Sequence, residues 1–84
     1  MKIRNEIIID FNLGKYTKKC ITELEEIYKK AQFIKDKTSE EYQELEGEFY
    51  GFTTQLEVCV LDDWRSGTYT EQQGDLILWK YEPF

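Results

Sequence analysis

Two apolar stripes that mirror each other about Thr38 set the terms for this chain. On one side Cys20, Leu24, Ile27, Ala31 and Ile34 follow in steps of four and three residues, the spacing of a helix face. On the other side Tyr42, Leu45, Phe49, Phe52 and Leu56 follow in steps of three and four. Reflection about Thr38 lays Ile34 on Tyr42, Ala31 on Leu45, Ile27 on Phe49, Leu24 on Phe52 and Cys20 on Leu56. An antiparallel helical hairpin needs this relation, because its two seams must meet layer by layer. Local signals agree. Thr17 is placed to cap the first helix, with Tyr16 and Ile21 as a hydrophobic staple. Lysines suit a last turn near Asp36 and Lys37, and Thr38-Ser39-Glu40-Glu41 reads as a capping box with Thr38 as the cap.

Outside the hairpin the period changes. Glu6 to Leu13 alternates, with Ile7, Ile9, Phe11 and Leu13 on one face, and reads as a strand ending at Asn12-Leu13-Gly14. Asp62 to Gly67 reads as a turn and Thr68 to Gln73 as a loop. Asp75 to Tyr81, with its apolar run Leu76-Ile77-Leu78-Trp79, reads as a closing strand that carries Trp79 into the core. The expectation is a single α+β domain over residues 1–84. It is an antiparallel helical hairpin packed on a small antiparallel sheet of the N- and C-terminal strands, in the order β-α-α-β. The order β-α-α-β-β competes with it. Phe52 to Val60 also alternates and is rich in β-branched residues, and Gly47 and Gly51 each cost about 1 kcal/mol in a helix interior. Two strands alone are marginal in water, so a third strand or a partner subunit is expected.

Composition narrows the function. The 84 residues contain no histidine, which removes Ser–His–Asp and Cys–His catalysis and His-ligated metals. The 11 Lys and Arg against 17 Asp and Glu give a net charge of −6, which argues against direct binding to nucleic acid or an anionic membrane. No apolar run has the length of a membrane span, and Met1-Lys2-Ile3-Arg4-Asn5-Glu6 lacks the character of a signal peptide. A cytoplasmic setting follows, with Cys20 and Cys59 as free, buried thiols. Under the mirror about Thr38 the two cysteines lie about a turn out of register, so a bridge between them is awkward and core packing accounts for them.

Charge is distributed unevenly. From Glu40 to Asp63 there are eight carboxylates and no Lys or Arg. They form either a solvated helix face, partly neutralised by lysines of a neighbouring element, or a surface that docks on a basic partner. Asp62 and Asp63 lack calcium-loop spacing, and no metal or other cofactor is expected. Gly47-Glu48-Phe49-Tyr50-Gly51 is not a phosphate-binding loop, since no Gly-Lys-Ser/Thr follows. Gly47 and Gly51 lie off the apolar seam, where they admit either a neighbouring element or a second copy of the chain. Trp64, Arg65 and Tyr69 are residue types that anchor interfaces, although Trp64 can equally close the end of the core.

These features point to a non-catalytic, acidic protein-interaction module. The residues expected to meet the partner are Glu40, Glu41, Glu44, Glu48, Asp62, Asp63, Trp64, Arg65 and Tyr69. Its partner would present a basic surface, and occlusion of a nucleic-acid-binding groove by carboxylates standing in for phosphates is one form of this. Amino acids with AT-rich codons outnumber those with GC-rich ones by 31 to 9, which fits a low-GC bacterial or phage genome and an inhibitor carried by a phage or mobile element. The alternatives are a homo-oligomeric regulatory module, with Gly47 and Gly51 at the contact, and a binder of a small ligand.

Overall fold

The computed structural model describes residues 1–81. Three helices occur in it: α1 (Lys15–Gln32), α2 (Glu40–Arg65) and α3 (Glu71–Tyr81). Among the described residues there is no strand, so the expected sheet and the α+β class are both overturned. The long second helix stands. Phe52 to Val60 lies wholly inside α2, and Phe49, Thr53, Leu56, Cys59 and Val60 are buried at helical spacing. That removes the competing β-α-α-β-β order as well.

The closing segment is helical because of its start. Thr70 Oγ1 accepts the Gln73 backbone N–H at 3.2 Å, and Gln73 Oε1 accepts the Thr70 N–H at 3.0 Å. This reciprocal pair satisfies two donors at the helix start that would otherwise be orphaned. Once α3 is nucleated, the run that reads as a two-faced strand puts Gly74, Ile77 and Tyr81 on its buried side. Trp79 points away from the core and is 58% exposed, the reverse of its expected place.

With no partner strand, residues 1–14 form an irregular strap. Its alternation survives as burial: Ile7, Ile9, Phe11 and Leu13 are half-buried, and Ile8, Asp10 and Asn12 are exposed. The strap runs antiparallel to α3. Arg4 N–H donates to the Lys80 carbonyl at 2.8 Å, Lys80 Nζ donates to the Ile7 carbonyl at 2.7 Å, and Phe11 meets Tyr69 edge-on at 5.9 Å between ring centroids. The Arg4 guanidinium also donates to the Trp79 carbonyl, so the strap closes off the C-terminal carbonyls of α3.

The helical hairpin of α1 and α2 is present, but in a different register. Cys20 Sγ lies 3.6 Å from Cys59 Sγ, and Thr17 Oγ1 donates to Asp63 Oδ2 at 2.6 Å. The cysteines mirror about the Ser39–Glu40 step and the Thr17–Asp63 pair about Glu40, rather than about Thr38. A stripe of alternating three- and four-residue steps nearly matches itself when slid by one turn, so spacing alone cannot choose between these registers. The connection decides it. α1 stops at Gln32, and residues 33–39 fold back beside the start of α2, where Phe33, Ile34 and Lys35 share a hollow with Glu41, Glu44, Leu45 and Glu48.

The caps shift accordingly. Ser39, not Thr38, caps α2 and accepts Tyr42 N–H at 3.2 Å, while Thr38 is held by Asp36 through its N–H at 2.9 Å and its hydroxyl at 2.6 Å. These two bonds lower the Asp36 pKa. Thr17 is buried inside α1 rather than capping it, and Tyr16 is exposed, so the expected staple does not form. α1 starts instead at Gly14, where a Cβ would collide with the Asp63 carboxylate.

α2 ends in a Schellman turn. Thr68 N–H reaches the Asp63 carbonyl at 2.8 Å and Gly67 N–H reaches that of Trp64 at 3.0 Å, with Gly67 at φ +84°. The expected turn at Asp62 to Gly67 is therefore helix as far as Arg65. The common core of strap, hairpin and α3 centres on Leu24, Phe49, Leu56 and Ile77, with Ile3 contributed by the strap.

Candidate acidic docking groove

The sequence-expected interface residues do not form one patch. Glu40, Glu41, Glu44 and Glu48 are exposed on the first turns of α2. Trp64 and Arg65 lie at its other end, and a 26-residue helix spans about 39 Å. The N-terminal carboxylates also have company. Glu41, Glu44 and Glu48 line the hollow at the hairpin tip together with Lys30 and Lys35, which tempers their field. Two of the expected residues have structural duties. Asp63 is half-buried and accepts from Thr17, and Tyr69 is only 4% exposed and receives the Gly14 N–H on its hydroxyl. Tyr69 is thus core, not interface. Asp62 and Arg65 are exposed as expected.

Gly47 and Gly51 sit inside α2 with no atom within 4 Å of where a Cβ would stand. They accommodate no neighbouring element of the fold. Gly74, which carried no weight in the sequence, does so, as Gly14 does beside Asp63. A Cβ there would lie 3.2 Å from Val60 Cγ1, so α3 packs closely on α2 at that point.

This approach creates a groove along the outer side of the α2–α3 seam. Its first hollow, about 220 Å³, is lined by the apolar Val60, Leu61, Gly74, Leu78 and Trp64 together with Glu57, Glu71 and Asp75. A second hollow of about 220 Å³ shares Glu57, Asp75 and Leu78 with the first and ends at Trp79. Two exposed indoles, at 45% and 58%, therefore flank a pair of carboxylates contributed by facing helices. No Lys or Arg lines either hollow. Among the described residues the one ion pair within 4.0 Å joins the Met1 ammonium to Glu46, away from the groove.

No family model, curated protein or solved structure matches the chain. What the groove can do is therefore read from its chemistry. Each hollow is smaller than the roughly 300–1,000 Å³ of small-molecule sites. Each suits one large side chain. Exposed Trp in an apolar lining is the composition of an interface anchor, and carboxylates without cations attract basic groups from a distance.

Sequence reasoning finds Trp64 and misses Glu57, Glu71, Asp75, Leu78 and Trp79, because the last four belong to a segment read as loop and strand. The capping box at Thr70 and Gln73 is the signal that brings them onto one helix. No described helix is long and apolar enough to cross a membrane.

Proposed function

We propose that this chain is a non-catalytic docking module that covers a basic surface of a partner protein through the α2–α3 groove. The observation that supports this reading is the pair of exposed indoles, Trp64 and Trp79, flanking the Glu57 and Asp75 carboxylates with no cation in the lining. The partner presents two apolar side chains, one for each hollow, with Arg or Lys between them over the carboxylates. On a helix these anchors lie on one face, at i and i+3, i+4 or i+7 spacing. Clustered basic residues are the footprint of nucleic-acid-binding proteins, so a protein docked there competes with nucleic acid. The carboxylates along the rest of α2 raise the encounter rate and the salt dependence rather than the final affinity.

A synthetic amphipathic helix with Leu at both anchor positions and Arg between them tests the reading by calorimetry, against the same peptide with Glu in place of Arg. The Arg peptide should bind and the Glu peptide should not. Trp64→Ala and Trp79→Ala should each weaken binding at least tenfold, about 1.4 kcal/mol, at any salt. Glu57→Gln with Asp75→Asn should flatten the salt dependence. Affinity unchanged by both tryptophan substitutions would refute the groove as the docking site.

A further inference from the structure

The register found between α1 and α2 brings the only two cysteines of the chain together. The sulfurs of Cys20 and Cys59 are 3.6 Å apart, both residues are 7% exposed, and both are free. A disulfide needs sulfurs at about 2.05 Å, so rotations about the two side chains must close about 1.5 Å. Two surface hollows open onto this pair. One, about 400 Å³, is lined by Tyr16, Cys20, Phe52, Gln55 and Cys59, with Lys19 and Glu23 of α1 at its edge. The other reaches Cys59 from the side of Val58, Asp62 and Asp63. Among the described residues no third metal-binding side chain completes a cluster with the thiols.

We propose that Cys20 and Cys59 are a peroxide-oxidisable dithiol that closes into an intrachain disulfide across the α1–α2 seam of the folded protein. Cys59 is the sulfur oxidised first. It lines both hollows, whereas Cys20 lines only the first, and Gln55 Nε2 donates to its sulfur at 3.8 Å. Its sulfur attacks one oxygen of hydrogen peroxide, the O–O bond breaks, and the products are a Cys59 sulfenic acid and one water. The Cys20 sulfur then attacks the sulfenic sulfur, the S–O bond breaks, and the hydroxyl leaves as a second water with the Cys20 proton. Two thiols lose two electrons in all, and one peroxide gains them. Cys20 is the resolving partner because its thiol is pushed up to about 11 by burial and by the neighbouring Cys59, with Glu23 adding to the rise and Lys19 opposing it. A thiol with that pKa holds little thiolate at neutral pH, so ring closure accelerates about tenfold per pH unit from 7 to 9.

The test uses the full chain, reduced and folded, with a small excess of hydrogen peroxide at pH 8.5, followed by alkylation, intact mass measurement and peptide mapping. A monomer that has lost two hydrogens, with a Cys20–Cys59 cross-link and a melting temperature raised by about 10 °C or more, is the expected product. Cys20→Ser should stop at a Cys59 sulfenic acid that dimedone traps; Cys20→Ala should do the same if the serine is poorly tolerated. Two thiols that stay alkylatable while peroxide is consumed, disulfide-linked dimers, or a cross-link that forms only in urea would each overturn the proposal. These outcomes do not depend on whether the α2–α3 groove binds a partner.

Discussion

Replacing Gly47 and Gly51 of α2 by alanine should make the protein more stable, and the size of the gain can be worked out in advance. Both glycines lie in the interior of a 26-residue helix, and a Cβ at either one meets nothing within 4 Å. The new methyl groups neither clash nor pack, so what changes is the backbone entropy of the unfolded chain and the helix propensity. Each substitution is worth about 0.8–1.0 kcal/mol. For a domain of this size the pair should raise the melting temperature by about 6–16 °C. Far-ultraviolet circular dichroism in a urea series reads this as a higher midpoint at unchanged slope. Gly74→Ala is the internal control. Its Cβ would press on Val60 Cγ1 at 3.2 Å, and a β-branched side chain on a helix has no other rotamer to retreat into. The propensity gain is therefore cancelled there and the midpoint stays level or falls. A double variant at 47 and 51 no more stable than the parent, or a gain at 74 as large as at the other two, would refute the reasoning. Sedimentation of the double variant bears on the homo-oligomeric alternative, since a dimer of the parent that becomes monomeric on adding two methyl groups would place the contact at these glycines.

Two further outcomes follow from the hydrogen bonds at α3. Thr70→Ala removes the hydroxyl that accepts Gln73 N–H and should cost about 1 kcal/mol, visible as a lower urea midpoint, with Thr70→Ser restoring most of it; no change would show that α3 is held by packing alone. Stability should also fall in alkali. The hydroxyl of the buried Tyr81, donating to Glu25 at 2.9 Å, has its pKa raised by burial and by that carboxylate, and Cys20 is raised from 9.0 to about 11. In both cases the folded chain holds its proton more tightly than the unfolded one. Their contribution is full below the ordinary values of 9.0 and 10.0, begins to fall as the pH climbs past them, and for Cys20 is gone above about 11. Tyr81→Phe should flatten the alkaline fall in the urea midpoint, and a midpoint independent of pH in that range would count against both assignments.

The hairpin was legible because its signal is redundant: four apolar positions of the first stripe fall on α1 and all five of the second on α2. Its register was not, because the stripes fit themselves after a one-turn slide, and the end of α1 at Gln32 with the fold-back of residues 33–39 sets the register seen at Cys20–Cys59 and Thr17–Asp63. The strap shows a different limit. Alternation at Ile7, Ile9, Phe11 and Leu13 correctly reports one buried face, but it says nothing about a hydrogen-bonded neighbour, and a strand without a neighbour is a strap. At α3 the apolar run Leu76 to Trp79 is too short for periodicity to separate strand from helix. The deciding information lay upstream, at Thr70 and Gln73. That error carried the candidate site with it, since Asp75, Leu78 and Trp79 come together with Glu57 and Trp64 only when α3 is helical.

The two proposed sites use different flanks of α2, for a simple geometric reason. Consecutive helix residues are set about 100° apart, so Cys59 turns toward α1 while Val60 turns toward Gly74 of α3. A covalent bond at Cys59 would clamp α1 to α2 and leave the α2–α3 seam without any cross-link. α3 has 11 residues, below the length at which a helix persists alone in water, so its order depends on α2, the capping box and the Arg4 and Lys80 bonds to the strap. A side chain that enters the groove touches α2 and α3 together, and part of its binding energy goes into holding α3 in place. The groove is thus built on the shortest helix, whose order depends on its neighbours, while the dithiol joins the two long ones, of 18 and 26 residues.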